Sequence, residues 1–148
     1  MRKIILATAL LLCGITLKAQ ILTPVKWSYA AKKISATEAV IFMKASIDDG
    51  WHIYSQTVKD GGPVKTSFSF PTSADYTPVG EPAEPKPITR FEKAFNANVS
   101  FFEHEVIFQQ KIKLKKKQVV VKGRLEYMTC NDEKCLPPED LDFSVSVK

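Results

Sequence analysis

Cys130 and Cys135 enclose four residues in the run Tyr127-Met128-Thr129-Cys130-Asn131-Asp132-Glu133-Lys134-Cys135-Leu136-Pro137-Pro138. Two thiols at that spacing have three uses: a small structural disulfide, a pair that cycles between dithiol and disulfide, or half of a tetrahedral metal shell. Asn131 and Asp132 favour a turn, and Pro137 and Pro138 stiffen the exit. The chain therefore folds back on itself and brings the two Cα atoms within bridging reach. A bridge over so short a loop contributes only about 2 kcal/mol by loop entropy. That is a modest staple, yet small secreted domains carry such bridges, so the structural and the redox readings both stay open. The metal reading is the least favoured of the three. His52 and His104 are the only histidines, nothing in the sequence brings them to the thiols, and no metal or other cofactor is expected. Lys134 favours a thiolate while Asp132 and Glu133 oppose it, so local charge does not decide the chemistry.

The compartment bears on the choice. Arg2 and Lys3 precede an apolar run, Ile4–Leu17, and Lys18-Ala19-Gln20 offers a small residue at a cut after Ala19. This is the anatomy of a secretory signal peptide over residues 1–19, too short for a spanning helix, which needs roughly 20 apolar residues. Lipidation at Cys13 is not expected, because Leu12 occupies a position that needs a small residue. Removing Arg2, Lys3 and Lys18 lowers the formal charge from +5 to 5 − 3 = +2. The basicity of the whole chain thus belongs largely to the leader and implies no anionic partner. The expected mature chain, residues 20–148, suits a single domain and keeps only Cys130 and Cys135, an even count in an oxidising, periplasmic or otherwise exported setting.

Strands must position the thiols. Ala39, Ile41, Met43, Ala45 and Ile47 alternate with Val40, Phe42, Lys44 and Ser46. Val106, Phe108, Ile112 and Leu114 share one face, with Gln109, Lys111, Lys113 and Lys115 opposite. Val119, Val121, Leu125 and Tyr127 alternate with Lys122, Arg124 and Glu126, and Leu141, Phe143, Val145 and Val147 with Asp142, Ser144 and Ser146. Shorter strands are expected near residues 25–31, 51–55 and 66–70. Period-two alternation with one apolar face means antiparallel sheets over a shared core. Seven or so such strands in a small exported domain predict an all-β, immunoglobulin-like antiparallel sandwich. Asp48-Asp49-Gly50 and Asp60-Gly61-Gly62-Pro63 supply turns. Lys115-Lys116-Lys117 reads as a hairpin tip; no aromatic residues interleave with these lysines, and no nucleic-acid partner is expected.

Residues 71–105 read differently. Pro71, Pro78, Pro82, Pro85 and Pro87 argue against ladder pairing, which predicts a long loop. Phe91, Phe95, Phe101 and Phe102 follow, and four phenylalanines are costly to leave in water. The segment therefore folds back over something, either completing the core or covering the thiols as a lid. Continuing the Val119–Tyr127 alternation puts Cys130 on the polar face, with at least one sulfur near solvent.

The cysteine–proline run resembles the cysteine loop of the N-terminal periplasmic domain of DsbD-type thiol:disulfide interchange proteins. Asp49-Gly50-Trp51-His52-Ile53-Tyr54-Ser55 is similar to that family's early strand motif, and Phe101-Phe102 leading into Val106–Leu114 to its cap-bearing segment. The resemblance spans roughly Val25 to Val147. Four residues separate the cysteines here, where the best-known members have five. The resemblance implies an immunoglobulin-like fold, Cys130 and Cys135 as the redox pair, Phe101 or Phe102 as the cap, and His52 and Tyr54 lining the floor of the site. It also implies thioredoxin-like redox partners and, because members are usually fused to a membrane domain, a membrane reductant conduit supplied in trans. The leading expectation is a thiol–disulfide interchange module that accepts electrons from a thioredoxin-like protein and passes them to periplasmic disulfides. The alternative is a passive β-sandwich binding module with a structural hairpin disulfide.

Overall fold

Alternating burial, residue by residue, sets the strands of this protein in a computed structural model that describes residues 22–59 and 61–148. The expected signal peptide, with Cys13, lies outside the described residues. Eleven strands form three antiparallel sheets, and no helix occurs among the described residues. The first sheet runs β1 (Val25–Lys33), β2 (Glu38–Ile47), β8 (Glu105–Leu114) and β5 (Tyr76–Ala83). The second runs β10 (Thr129–Cys130), β3 (His52–Tyr54), β7 (Ala97–Glu103) and β6 (Ile88–Glu92). The third runs β11 (Glu139–Val147), β9 (Val119–Tyr127) and β4 (Ser67–Ser69).

The apolar stripes predicted from alternation meet in one core. Ile41, Met43, Phe108 and Ile112 of the first sheet pack with Val121, Leu125, Phe143 and Val145 of the third, and the second sheet adds Ile53 and Phe102. Trp27 of β1 reaches across this interior, its ring 6.0 Å from Phe108 and 5.4 Å from Tyr127. The result is the expected antiparallel sandwich, with the second sheet joined to its core through Ile53 and Phe102.

Residues 71–105 are not a long loop. They supply β5, β6 and β7. The prolines fall where a missing N–H is tolerated: β5 is an edge strand and carries Pro78 and Pro82, while Pro85 and Pro87 lie in the connection before β6. The register of β5 against β8 shifts between Val79 and Ala83. Gln110, a polar residue on the otherwise apolar face of β8 and almost fully buried, serves that irregularity. Its Nε2 donates to the carbonyls of Val79 at 3.2 Å and Gly80 at 3.3 Å, so the bulged backbone is not left unsatisfied.

Two short breaks carry the chain between sheets. His104, with φ of 62°, turns it from β7 in the second sheet to β8 in the first. Met128 separates β9 in the third sheet from β10 in the second. The Lys115–Lys117 turn likewise joins strands of different sheets, β8 and β9, and is not the tip of a paired hairpin.

Candidate functional site

The second sheet has two working faces. Ile53 and Phe102 point into the main core. The other face carries His52, Tyr54 and Phe101, because side chains two apart on a strand share a face and Tyr54 stands opposite Phe101 in the register of β3 and β7. Cys130 of β10 stands opposite His52 on the other side of β3. Tyr54, Val99, Phe101 and Cys130 form a second, separate apolar cluster with Val58, Phe95 and Met128 packed on it. Of the expected floor residues, Tyr54 packs with Cys130 in this cluster and His52 pairs with Cys130 across the β3–β10 ladder; His52 Nε2 lies 3.2 Å from Tyr54 Oη, ring centroids 5.2 Å apart.

The cysteine loop is a tight, self-bonded hairpin. Asn131 Oδ1 accepts from the backbone N–H of Glu133 at 3.0 Å and of Lys134 at 2.8 Å, which is the turn chemistry its side chain favours. The Asn131 N–H donates to the Lys134 carbonyl at 2.9 Å and the Leu136 N–H to the Thr129 carbonyl at 2.9 Å. Cys130 and Cys135 stand opposite each other as an antiparallel bridge and are joined by a disulfide, Cα to Cα 4.0 Å. Their surroundings differ sharply. Cys130 is 2% exposed, and Cys135 is exposed. The strand alternation predicted Cys130 on the polar face. The break at Met128 moves it into the second sheet, where it faces the small cluster and is buried. The thiol position near solvent is Cys135.

Across from the loop rises the hairpin of β6 and β7. Its turn, Lys93-Ala94-Phe95-Asn96, closes with the Phe95 N–H donating to the Glu92 carbonyl at 3.2 Å and with Asn96 in the left-handed region, φ 49°. An open cleft lies between this hairpin and the cysteine loop, lined by Tyr54, Arg90, Phe91, Phe95 and both cysteines. Phe95 is half-buried over the floor, its ring 6.1 Å from Tyr54 and edge-on to it. The two expected cap residues lie elsewhere. Phe101 is 1% exposed and part of the floor, 4.9 Å from His52, while Phe102 faces the main core, 5.8 Å from Phe108. Adjacent residues of one strand point to opposite faces, so the Phe101-Phe102 pair cannot both reach the cleft.

Charge at the rim centres on Arg90. Its guanidinium lies 4.6 Å from the Phe101 ring centroid, a cation–π contact. It reaches Glu92 at 3.1 Å, Glu103 at 4.0 Å and Asp132 of the cysteine loop at 3.9 Å. Burial lowers the pKa of His52; the Glu92 carboxylate opposes that shift. Burial pushes the Tyr54 phenol well above its usual range, again reinforced by Glu92. The floor therefore holds a neutral imidazole and a protonated phenol at neutral pH. No group of three or more metal-ligating side chains occurs among the described residues.

The sequence alone does not single out Phe95 or Arg90 as site residues. Phe95 lay inside the aromatic stretch that suggested a lid, and the following Asn96, a residue tolerant of left-handed backbone, was the signal for the turn that presents it. Nothing local marks Arg90. It matters because β6 pairs with β7, and that pairing is long-range information.

The sequence profile described as "Thiol:disulfide interchange protein DsbD, N-terminal" matches residues 18–146. No match was found among curated protein sequences. Among solved structures, the N-terminal periplasmic domain of ScsB from Proteus mirabilis aligns at a TM-score of 0.60 and 19% identity, over 88% of this chain and 49% of that one. This chain therefore spans about half the length of that relative, 49%. A chain from the complex between the DsbD N-terminal and PilB N-terminal domains of Neisseria meningitidis aligns at 0.55 and 18% identity, over 84% of this chain and 87% of that one. At such identities the two structures speak to the fold, which is immunoglobulin-like. No helix among the described residues is long and apolar enough to cross a membrane. With the profile running almost end to end, the chain belongs to the family of DsbD N-terminal domains, the periplasmic domains of thiol:disulfide interchange proteins.

Proposed function

We propose that this domain is an exported thiol–disulfide interchange module working through a reversible Cys130–Cys135 disulfide. The observation that carries the reading is the asymmetry of the bridge: Cys130 is held on a buried strand face, while Cys135 stands exposed at the mouth of the cleft. An incoming thiolate from a thioredoxin-like dithiol partner attacks Cys135 Sγ. The Cys130–Cys135 bond breaks, and its electron pair leaves on Cys130 Sγ, which takes a proton. The partner's second thiolate then attacks its own sulfur in the mixed disulfide and releases Cys135 as a thiolate. Two electrons have entered the domain, and the partner departs as a disulfide. Delivery runs in reverse. The Cys135 thiolate attacks a periplasmic disulfide, and the Cys130 thiolate then attacks Cys135 Sγ, reforming the bridge and releasing the reduced partner.

The complex formed by a Neisseria meningitidis DsbD N-terminal domain with a PilB N-terminal domain supports a reading in which this domain meets a protein partner. The electron source in this reading is a thioredoxin-like domain fed by a membrane reductant conduit. His52 and Tyr54, uncharged and hydrogen-bonded, form a floor that supports the loop without adding a fixed charge beneath it.

Equilibration of the purified domain with glutathione or dithiothreitol buffers tests the reading. The expected midpoint lies within reach of cellular dithiols, and a potential below about −300 mV would mark a bridge that resists exchange and serves only as a staple. Phe95 is the shielding side chain in this mechanism. Phe95→Ala is expected to speed alkylation of Cys130, the buried thiol of the dithiothreitol-reduced pair, by roughly three- to tenfold, the size of one lost aromatic contact. Phe102→Ala instead costs about 3 kcal/mol of stability, because that ring fills the core. An alkylation rate for Phe95→Ala equal to that of the unaltered protein would exclude Phe95 as the shield.

A further inference from the structure

We propose that Glu84 is a positioning residue for the cysteine cleft: its carboxylate clamps the root of β6 to the backbone that leaves β3, and so sets how closely the β6–β7 hairpin sits over the disulfide. The inference rests on the interchange reading for its functional meaning, but not for its geometry. Glu84 lies in the connection between β5 and β6, half-buried. Ser55, the residue after Tyr54 and 0% exposed, donates from Oγ to Glu84 Oε1 at 2.5 Å. The Gln56 N–H donates to Oε2 at 3.0 Å, and Gln56 Nε2 reaches the same oxygen at 3.4 Å and the Pro82 carbonyl at 3.0 Å. Three donors from two consecutive residues converge on one carboxylate, in a segment that sits 28 residues away in sequence.

Both sides of this clamp lead to the cleft. On one side, Ser55 also donates its N–H to the Ser100 carbonyl of β7 at 2.9 Å, and the chain continues to Val58, which packs on the Tyr54, Phe101 and Cys130 cluster. On the other, Pro85-Lys86-Pro87 leads straight into Ile88, the first residue of β6. Two prolines in three residues fix φ and make a stiff, extended strut. A displacement at Glu84 is therefore passed to β6 and to the Lys93–Asn96 turn that carries Phe95, and is not absorbed in a soft linker. β6 is an edge strand, held laterally by β7 alone, so its root is the second point that fixes its position.

The test is alkylation of Cys130 in the dithiothreitol-reduced protein, read at that residue by mass spectrometry because exposed Cys135 reacts without any opening; it needs no redox partner and stays valid if interchange itself fails. Loss of a charge-assisted hydrogen-bond cluster raises the open population by about tenfold, so Glu84→Ala is expected to be alkylated roughly ten times faster than the unaltered protein. Glu84→Gln, whose amide oxygen still accepts from Ser55 but whose NH₂ cannot accept from Gln56, should fall between the two. That variant also keeps the test decisive should Glu84→Ala unfold. In a Phe95→Ala background the Glu84→Ala gain should vanish, because the clamp acts through the ring it positions. A merely structural fastening would leave the gain undiminished in that background. Rates within twofold of the unaltered protein for both Glu84 variants, or an undiminished gain without Phe95, would overturn the proposal. A normal Glu84 effect beside a bridge that resists glutathione would instead leave the clamp intact and remove the interchange reading.

Discussion

Serine at Cys130 should yield a protein that captures thiol–disulfide partners and holds them, whereas serine at Cys135 should yield one that captures almost nothing. Either change ends turnover, because each removes one sulfur of the bridge. Either change also removes the same loop constraint, worth about 2 kcal/mol, so stability does not separate the two variants. What separates them is access. In Cys130→Ser the remaining thiol is Cys135, exposed on the loop at the cleft mouth. It forms a mixed disulfide, and no neighbouring thiol is left to resolve it from within the domain. In Cys135→Ser the remaining thiol is Cys130, 2% exposed, opposite His52 on β10 and packed with Tyr54 and Phe101. β10 is held there by Thr129 Oγ1, which donates to the His52 carbonyl at 2.9 Å. Reaching that sulfur requires a local opening, and an opening cost of about 3 kcal/mol slows reaction by about a hundredfold. Mass spectrometry of each variant after exposure to oxidised glutathione, and then to an oxidised thioredoxin-like protein, reads the adduct directly. Equal adduct yields from the two variants would show that both sulfurs are open to attack and would remove the assigned order of events.

Much of this was legible in the sequence where the signal is local. Alternation placed the faces of β2, β8, β9 and β11 correctly, since burying one side of a strand constrains every second residue. The cysteine–proline run located the loop, and the motif around Trp51–Ser55 the strand that pairs beside it. The misreadings all concern information that is not local. Prolines made residues 71–105 look like a loop, yet Pro78 and Pro82 are harmless in an edge strand, and edge position depends on pairing with β8. Extending the β9 alternation past Tyr127 puts Cys130 on the polar face, but the chain changes sheet at Met128, and alternation carries no meaning across such a switch. Gln110 interrupts the apolar stripe of β8 for a non-local reason, the irregular register of β5. Phe101 and Phe102 look equivalent in the sequence, and only the pairing of β3 with β7 shows that one packs in the small cluster with Tyr54 and Cys130 and the other in the main core. Arg90 illustrates the limit most plainly, because its partners Glu103 and Asp132 come from β7 and from the cysteine loop.

Gly123→Ala is expected to be among the most damaging single substitutions outside the site, although alanine normally improves on glycine within a strand. Gly123 lies in β9 directly opposite Phe143 of β11. The Phe143 ring rests on the glycine, so an added Cβ would stand 2.3 Å from its Cζ and 2.8 and 2.9 Å from its two Cε atoms. The ring has little freedom to withdraw. Its other face stacks on Tyr29, centroids 4.6 Å apart and planes 7° apart, and the Phe70 ring meets it edge-on at 6.0 Å. The methyl group must therefore force Phe143 off its rotamer or spread β9 from β11, either of which costs about 2–3 kcal/mol. Without the ring, the sign should reverse. Removing glycine's extra backbone freedom gains about 0.5–1 kcal/mol, so Gly123→Ala in a Phe143→Ala background should be neutral to stabilising. Urea unfolding of the two single variants and the double variant measures that difference as a coupling energy. The expected coupling is about 2–3 kcal/mol, the clash alone, because the backbone-entropy gain is present with and without the ring and cancels. Gly123 and Phe143 line no part of the cysteine cleft, so glutathione exchange in the folded fraction should match that of the unaltered protein. A Gly123→Ala variant as stable as its parent would mean that β9 and β11 pack with a ring placement other than the one that Tyr29 and Phe70 enforce here.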